Sequence, residues 1–170
     1  LVLFNKPHEF QNYELYQMKI FRLKKSIKLP ITIDECWEFF SSPKNLKIIT
    51  PNYMGFDIID FEDTKMYSGQ IIKYNVTPLL GINMKWVTEI CHVKENSFFV
   101  DEQRFGPYKF WHHKHKFEII DGGVRIIDIL DYSMPFGFIG LFFHPFLVKP
   151  KLDEIFSYRE KKLIEIFGKL

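Results

Sequence analysis

Two histidines spaced two residues apart are the side chains of this chain best suited to chemistry. They lie in residues 101–117, which read DEQRFGPYKFWHHKHKF and predict a strand, a turn and a second strand. Because side chains of a strand alternate between its two faces, His113 and His115 share a face with Trp111 and Phe117. The opposite face carries mostly charged residues. We therefore expect both imidazoles to point inward, where a buried polar group needs a partner.

Asp128 is the partner that the pattern offers. Residues 121–123, Asp-Gly-Gly, predict a tight turn of even length between two strands. An even loop keeps His113 and His115 on the same face as Asp128. Asp128 then lies either directly opposite His115 or one diagonal step away.

Four interpretations of this group stay open. In the first, Asp128 orients His115 within a structural network. In the second, the group forms part of the wall of a ligand pocket. In the third, His115 and Asp128 act as a general acid/base pair, although no nucleophile elbow or phosphate loop accompanies them. In the fourth, His113 and His115 share a metal ion, which would need a third ligand from Glu102, Asp128 or His144. We expect no metal and no cofactor.

The remaining pattern predicts one α+β domain. Residues 18–29 alternate as expected for a first strand. An antiparallel meander is indicated by alternating segments bounded by turn residues, at 56–62, 69–76, 83–93, 97–105, 108–120 and 123–134. After the first strand, Thr32 and Glu35 have the spacing of a capping box, and Ser42-Pro43 predicts a second short helix capped by Ser42. A long helix is expected from about Pro150 to Phe167, where apolar residues follow the helical period.

Two arginines have positions that the sequence leaves ambiguous. Arg159 lies in the middle of the apolar stripe of the long helix. Its guanidinium either reaches water at the end of the extended side chain or points inward, where it needs a carboxylate as a partner. Arg104 shares one face of its strand with Glu102, but apolar residues occur on both faces of that strand.

Composition narrows the class of protein. A chain of 170 residues is about the size of one domain. Its net charge of +2, with both signs interspersed, favours neither nucleic acid nor an acidic partner. Cys36 and Cys91 fit no CxxC pattern, so we expect reduced thiols and a cytoplasmic protein.

Two segments stand apart from this pattern. Residues 134–148 are apolar but contain Gly and Pro and are too short to cross a bilayer, so we expect core or a flexible cavity mouth, with peripheral membrane contact as an alternative. Residues 1–17 precede Met18 and are expected to be an N-terminal extension outside the domain.

Residues 43–46, 49–51 and 54–56 follow the pattern PxNL…ITP…MGF, and residues 103–117 follow QRxGPYxxWxHxHxF. With Asp128, Tyr132, 135–137 and 156–159, these residues resemble a ligand-binding branch of the START/Bet v 1-like (SRPBCC) superfamily. The resemblance covers about residues 18–168. It implies a helix-grip fold, in which a curved antiparallel sheet of about seven strands wraps a long C-terminal helix, with two short helices after the first strand. It also implies a hydrophobic cavity between sheet and helix for lipids, polyketides or similar molecules.

The sequence therefore predicts a protein that binds a small hydrophobic ligand without catalysis. Ten residues are expected to form its site: Trp86, Trp111, Phe117, Tyr132 and Met134 along the apolar wall, and Arg104, His113, His115, Asp128 and Arg159 at the polar end. The alternative is a polyketide cyclase- or dehydratase-like enzyme that uses His115 and Asp128. Ligand identity and oligomeric state stay open.

Overall fold

The computed structural model describes residues 19–62, 64–77 and 81–170. The expected extension at residues 1–17 lies outside the described residues. Seven strands form one antiparallel sheet: β1 (Phe21–Leu29), β2 (Asp57–Phe61), β3 (Gln70–Val76), β4 (Met84–Lys94), β5 (Phe98–Phe105), β6 (Phe110–Ile120) and β7 (Gly123–Ser133). Their order across the sheet is β1-β7-β6-β5-β4-β3-β2, so only β1 departs from the meander. The predicted strands are confirmed with small shifts at their ends.

Two short helices follow β1. Helix α1 (Ile33–Phe40) begins with the predicted capping box, in which the Thr32 hydroxyl accepts from the Glu35 backbone N–H and the Glu35 carboxylate accepts from the Thr32 backbone N–H. Helix α2 (Pro43–Leu46) starts at the expected residue. Ser42, however, makes no capping hydrogen bond through its side chain within the described chain, so that prediction is wrong. Pro43 has no N–H, which leaves this single-turn helix fewer donors to cap.

The C-terminal helix is longer than predicted. It runs without a break through α3 (Gly137–Phe143), a π-helical segment (His144–Val148) and α4 (Lys149–Phe167), 31 residues in all. The apolar residues before Pro150 thus belong to the helix. None of the helices in the described parts of the chain combines the length and apolar character that a bilayer crossing needs. The first turns of this helix nevertheless present apolar side chains to solvent: Phe136, Phe138, Phe142 and Phe146 are between 66 and 80% exposed.

Two apolar clusters pack between the sheet and the helices. The larger cluster lies beside α1 and includes Phe99 and Phe117. The smaller cluster packs the opposite end of β7 against the long helix and includes Leu130, Tyr132 and Phe156. The curved sheet with its long helix is the helix-grip architecture that the sequence predicted. Both cysteines are free thiols, as expected.

Candidate functional site

Strand register brings four ionisable side chains together on the inner face of the sheet. Asp101 of β5 pairs with His113 of β6. His115 pairs with Asp128 of β7, the first of the two predicted positions. We refer to Asp101, His113, His115 and Asp128 as the His–Asp cluster. Both imidazoles and Asp128 are buried, and Asp101 is half-buried.

Within the His–Asp cluster, each imidazole lies between the two carboxylates. The Nε2 atom of His113 is 3.0 Å from Asp128 Oδ1, and its Nδ1 atom is 3.5 Å from Asp101 Oδ2. His115 is reversed, because its Nε2 is 2.9 Å from Asp101 Oδ2 and its Nδ1 is 2.9 Å from Asp128 Oδ1. The contact of His115 Nδ1 is close but lacks hydrogen-bond alignment, and this nitrogen has no hydrogen-bond partner in the described structure.

The pKa values of the two imidazoles shift in opposite directions. Burial and the neighbouring charge of His115 lower the pKa of His113. Burial acts the same way on His115, but its contacts with Asp101 and Asp128 outweigh burial and raise its pKa. Burial alone would raise the pKa of both carboxyls, yet the two imidazoles hold the pKa of Asp101 low and that of Asp128 well below its usual range. The carboxylates are therefore ionised, and His115 is the imidazole that keeps its second proton to higher pH.

A cavity of about 180 Å³ opens beside the His–Asp cluster. A single water molecule needs about 10–15 Å³ of such space, so this cavity is much larger than a gap left by imperfect packing. Its walls come from the inner face of β3 to β6, from residues 39–56 and from α4. Apolar and aromatic side chains dominate these walls, and Asp101, His113 and His115 contribute polar atoms to one of them.

The aromatic wall holds a buried N–H group without a partner. Trp86 is 8% exposed and lies 5.0 Å from the ring of Trp111, with the two planes almost perpendicular. Its Nε1 has no hydrogen-bond partner among the described residues. Tyr74 and Thr88, on the neighbouring wall, hydrogen-bond each other through their hydroxyls. Trp86 Nε1 is thus a free hydrogen-bond donor, whereas the hydroxyls of Tyr74 and Thr88 beside it have partners.

Arg159 points inward, the second of its two predicted orientations. Its side chain is 11% exposed, and its guanidinium carbon lies 5.0 Å from the ring centre of Phe156. Nη1 is 4.0 Å from Asp128 Oδ1, which is a long-range ion pair rather than a hydrogen bond. The buried Nε finds no hydrogen-bond partner in the described parts of the chain.

The structure brings five of the ten predicted site residues to the cavity wall: Trp86, Trp111, His113, His115 and Arg159. Asp128 lies behind the two imidazoles. Phe117, Tyr132 and Met134 do not line the cavity, so their predicted place on the wall is wrong. Phe117 packs into the larger apolar cluster, and Tyr132 and Met134 into the smaller one. The reason for the last two is that the long helix begins early enough to cover their end of the sheet.

Arg104 is also misplaced by the prediction. It lies on the outer face of the sheet, where its guanidinium pairs with Glu89 and, at 3.1 Å, with Glu102. Glu102 accepts from His112 on the same outer face. His144, another suggested metal ligand, is 2.8 Å from the Tyr132 hydroxyl. Neither Glu102 nor His144 reaches the His–Asp cluster.

Sequence reasoning missed Asp101, Tyr74, Thr88 and Tyr108, all of which line the cavity. Asp101 had a usable signal, because it alternates with Phe99 on one face of β5 while Glu102 alternates with Arg104 on the other. Two neighbouring charges of opposite sign are typical of an outer face. That observation would have turned Asp101 inward.

Comparisons with known proteins show a shared fold. No family model matches the chain, and no curated protein does. Among solved structures, protein Ms6760 from Mycobacterium smegmatis superposes with a TM-score of 0.60 at 16% identity, over 85% of this chain and 89% of that one. Ginseng major latex-like protein 151 from Panax ginseng gives 0.61 at 12% identity, over 87% and 97%. Ara h 8.0201 gives 0.53 at 16% identity, over 86% and 99%. The chain therefore has the Bet v 1-like helix-grip fold.

Proposed function

We propose that this protein binds a small, largely apolar molecule, such as a lipid or a polyketide, in the cavity between its sheet and its long helix. The observation that carries the proposal is the composition of the cavity wall. Aromatic and aliphatic side chains line most of it, while two buried donors, Trp86 Nε1 and Arg159 Nε, lack partners among the described residues. An apolar pocket with a few convergent polar groups is the usual form of a small-molecule site.

The two free donors define the ligand further. A buried donor without a partner costs about 1–3 kcal/mol, so the occupant of the cavity gains affinity by supplying an acceptor. Trp86 donates from a neutral ring and Arg159 from a cation. A ligand that carries a carbonyl or another oxygen acceptor on an apolar skeleton fits both. A hydrocarbon of the same shape would leave them unsatisfied.

The His–Asp cluster has a different role in this proposal. Its carboxylates and imidazoles are satisfied largely by one another, at distances between 2.9 and 3.5 Å. They therefore offer a ligand fewer free polar atoms than Trp86 and Arg159 do. We place the cluster in the polar wall of the pocket, where it fixes the shape of that wall and takes no part in a reaction.

The rival function is a cyclase- or dehydratase-like enzyme that uses His115 and Asp128. The observation that favours it is a buried imidazole, His115, held beside two carboxylates and facing the cavity. Replacing His115 by Gln separates the two functions. A binding protein keeps most of its affinity, because the cavity wall is intact, whereas an enzyme loses turnover while binding persists.

The test of binding uses native mass spectrometry of the protein purified from its own host. A co-purifying apolar molecule with an oxygen acceptor is the expected result. Ile155→Trp, on the cavity face of α4, should displace it, whereas the control Ile164→Trp, on the same helix but away from the cavity, should not. A bound molecule that survives Ile155→Trp and is lost from Ile164→Trp would place the ligand elsewhere and contradict the proposal.

A further inference from the structure

The two carboxylates of the His–Asp cluster have unequal relations to the imidazoles. Asp128 Oδ1 lies within 3.0 Å of one nitrogen of each ring, His113 Nε2 and His115 Nδ1. The other nitrogen of each ring, His113 Nδ1 and His115 Nε2, faces Asp101 Oδ2. With the Nε2–H of His113 donated to Asp128, the Nδ1 lone pair of His113 points towards Asp101. His115 Nδ1 lies close to Asp128 without hydrogen-bond alignment, and a small rotation of its ring would let it donate there and turn its Nε2 lone pair towards Asp101. Histidine ligands of metals are commonly held in this way, with the second N–H donated to a carboxylate.

We propose that Asp101, His113 and His115 bind a divalent cation of the zinc class, with Asp128 as the carboxylate that orients both imidazoles. One donor atom from each of the three lies within 4.8 Å of the others. In a tetrahedral zinc site with bonds of about 2.0–2.1 Å, donor atoms are about 3.3–3.4 Å apart. The observed 3.5 Å between His113 Nδ1 and Asp101 Oδ2 is close to that value. The 2.9 Å from Asp101 Oδ2 to His115 Nε2 has to widen by a few tenths of an ångström.

Charge favours a dication at this position. The carboxylate of Asp128 is buried and that of Asp101 is half-buried, so both need compensating positive charge, because a buried charge is costly unless it is paired. The imidazoles supply such charge only when they are doubly protonated, whereas a dication supplies it without those protons. Arg159 supplies part of this charge, but its nearest nitrogen is 4.0 Å from Asp128. A dication among Asp101, His113 and His115 would neutralise the rest, and the three ligands of imidazole and carboxylate type suit zinc and its neighbours in the first transition row.

The position of the three ligands leaves the fourth coordination site open. Asp101, His113 and His115 all line the cavity, whereas Asp128 lies behind them. The fourth ligand of the cation would therefore come from the cavity side, as a water molecule or as an oxygen of a bound molecule. Three protein ligands leave one of the four tetrahedral positions of zinc open, and an oxygen of a bound molecule can fill it.

The test measures Zn²⁺ binding by the full chain after treatment with a chelator and dialysis. Competition with a chromophoric chelator should give one Zn²⁺ per chain. His113→Gln and His115→Gln should each weaken binding at least about 100-fold, and Asp128→Asn about 10- to 100-fold, the range found for outer carboxylates. His92→Gln and His112→Gln are matched controls, since both histidines lie away from the cavity, and they should leave the affinity unchanged within about twofold.

A second measurement does not depend on the folding of any variant. Co²⁺ added to the wild-type protein should give the intense visible absorption of four-coordinate cobalt. The proposal is overturned by the weak spectrum of six-coordinate cobalt, by the absence of stoichiometric Zn²⁺ uptake, or by uptake that His113→Gln and His115→Gln leave unchanged. Each of these results leaves apolar ligand binding intact, because that function rests on the free donors and the apolar wall.

Discussion

Replacing Trp86 by Phe tests the most specific feature of the proposed pocket, its unpartnered indole N–H. The substitution removes that donor and keeps an aromatic ring against Trp111 and Tyr74. The wild-type protein should prefer a ligand with an oxygen acceptor over an isosteric hydrocarbon. Acetophenone and α-methylstyrene form such a pair, because they differ only in a carbonyl oxygen replaced by a methylene group.

The expected change in ligand preference follows from the free-energy cost of one unpaired buried donor. When acetophenone binds, Trp86 Nε1 gains an acceptor; when α-methylstyrene binds, the same group stays unpaired at a cost of about 1–3 kcal/mol. Trp86→Phe removes this difference. The preference for acetophenone should therefore fall by about 5- to 150-fold, and part of that change should appear as tighter binding of the hydrocarbon.

Isothermal titration calorimetry on both proteins with both ligands gives the four affinities that the comparison needs. Trp37→Phe is the control, because Trp37 packs against Phe99 and Phe117 and does not line the cavity. It should keep the wild-type preference. If Trp86→Phe weakens both ligands equally, the indole contributes only apolar surface, and the argument from the free N–H is refuted.

Three further outcomes are expected. Burial, together with two nearby lysines, lowers the pKa of His144, so the unfolded chain binds a proton below pH of about 6.5 that the folded chain resists. The contribution of His144 to stability should be full above that pH and decrease below it, so His144→Asn should lose less stability than the wild type between pH 8 and pH 5 in urea unfolding. Leu130→Ala removes a fully buried side chain and should lower the free energy of unfolding by about 2–5 kcal/mol in the same assay, whereas a change below about 1 kcal/mol would mean that the smaller cluster is not close-packed. If residues 134–148 contact membranes, the chain should float with liposomes at low and high salt. The double substitution Phe138→Ser and Phe142→Ser, at two exposed phenylalanines, should abolish flotation. Wild-type protein that stays at the bottom of the gradient excludes membrane contact.

The fold could be predicted from sequence because its signals are local and repeated. Alternation in β6 turned His113 and His115 inward, and the even turn before β7 put Asp128 beside them. The start of the long helix was missed because Gly and Pro within residues 134–148 indicate irregular structure, while in the protein a π-helical segment accommodates Pro145.

The site was predicted less well, because its parts depend on packing between distant elements. Both faces of β5 carry phenylalanine, so the periodicity of apolar residues could not decide whether Asp101 or Glu102 points inward, and only the pairing of Glu102 with Arg104 on one face favoured Asp101. The early start of the long helix decides that Tyr132 and Met134 are covered. That start was itself missed, so two wrong assignments have one cause.

The π-helical segment His144–Val148 sets the rotation of one half of the long helix relative to the other. An α-helix advances by about 100° per residue, so removing one residue there would turn α4 by that angle relative to α3. Either Arg159 would leave the cavity or the exposed phenylalanines would move to another side of the molecule. Length at this point in the chain is therefore under tighter constraint than residue type, and homologous chains should exchange side chains within the segment more readily than they gain or lose a residue.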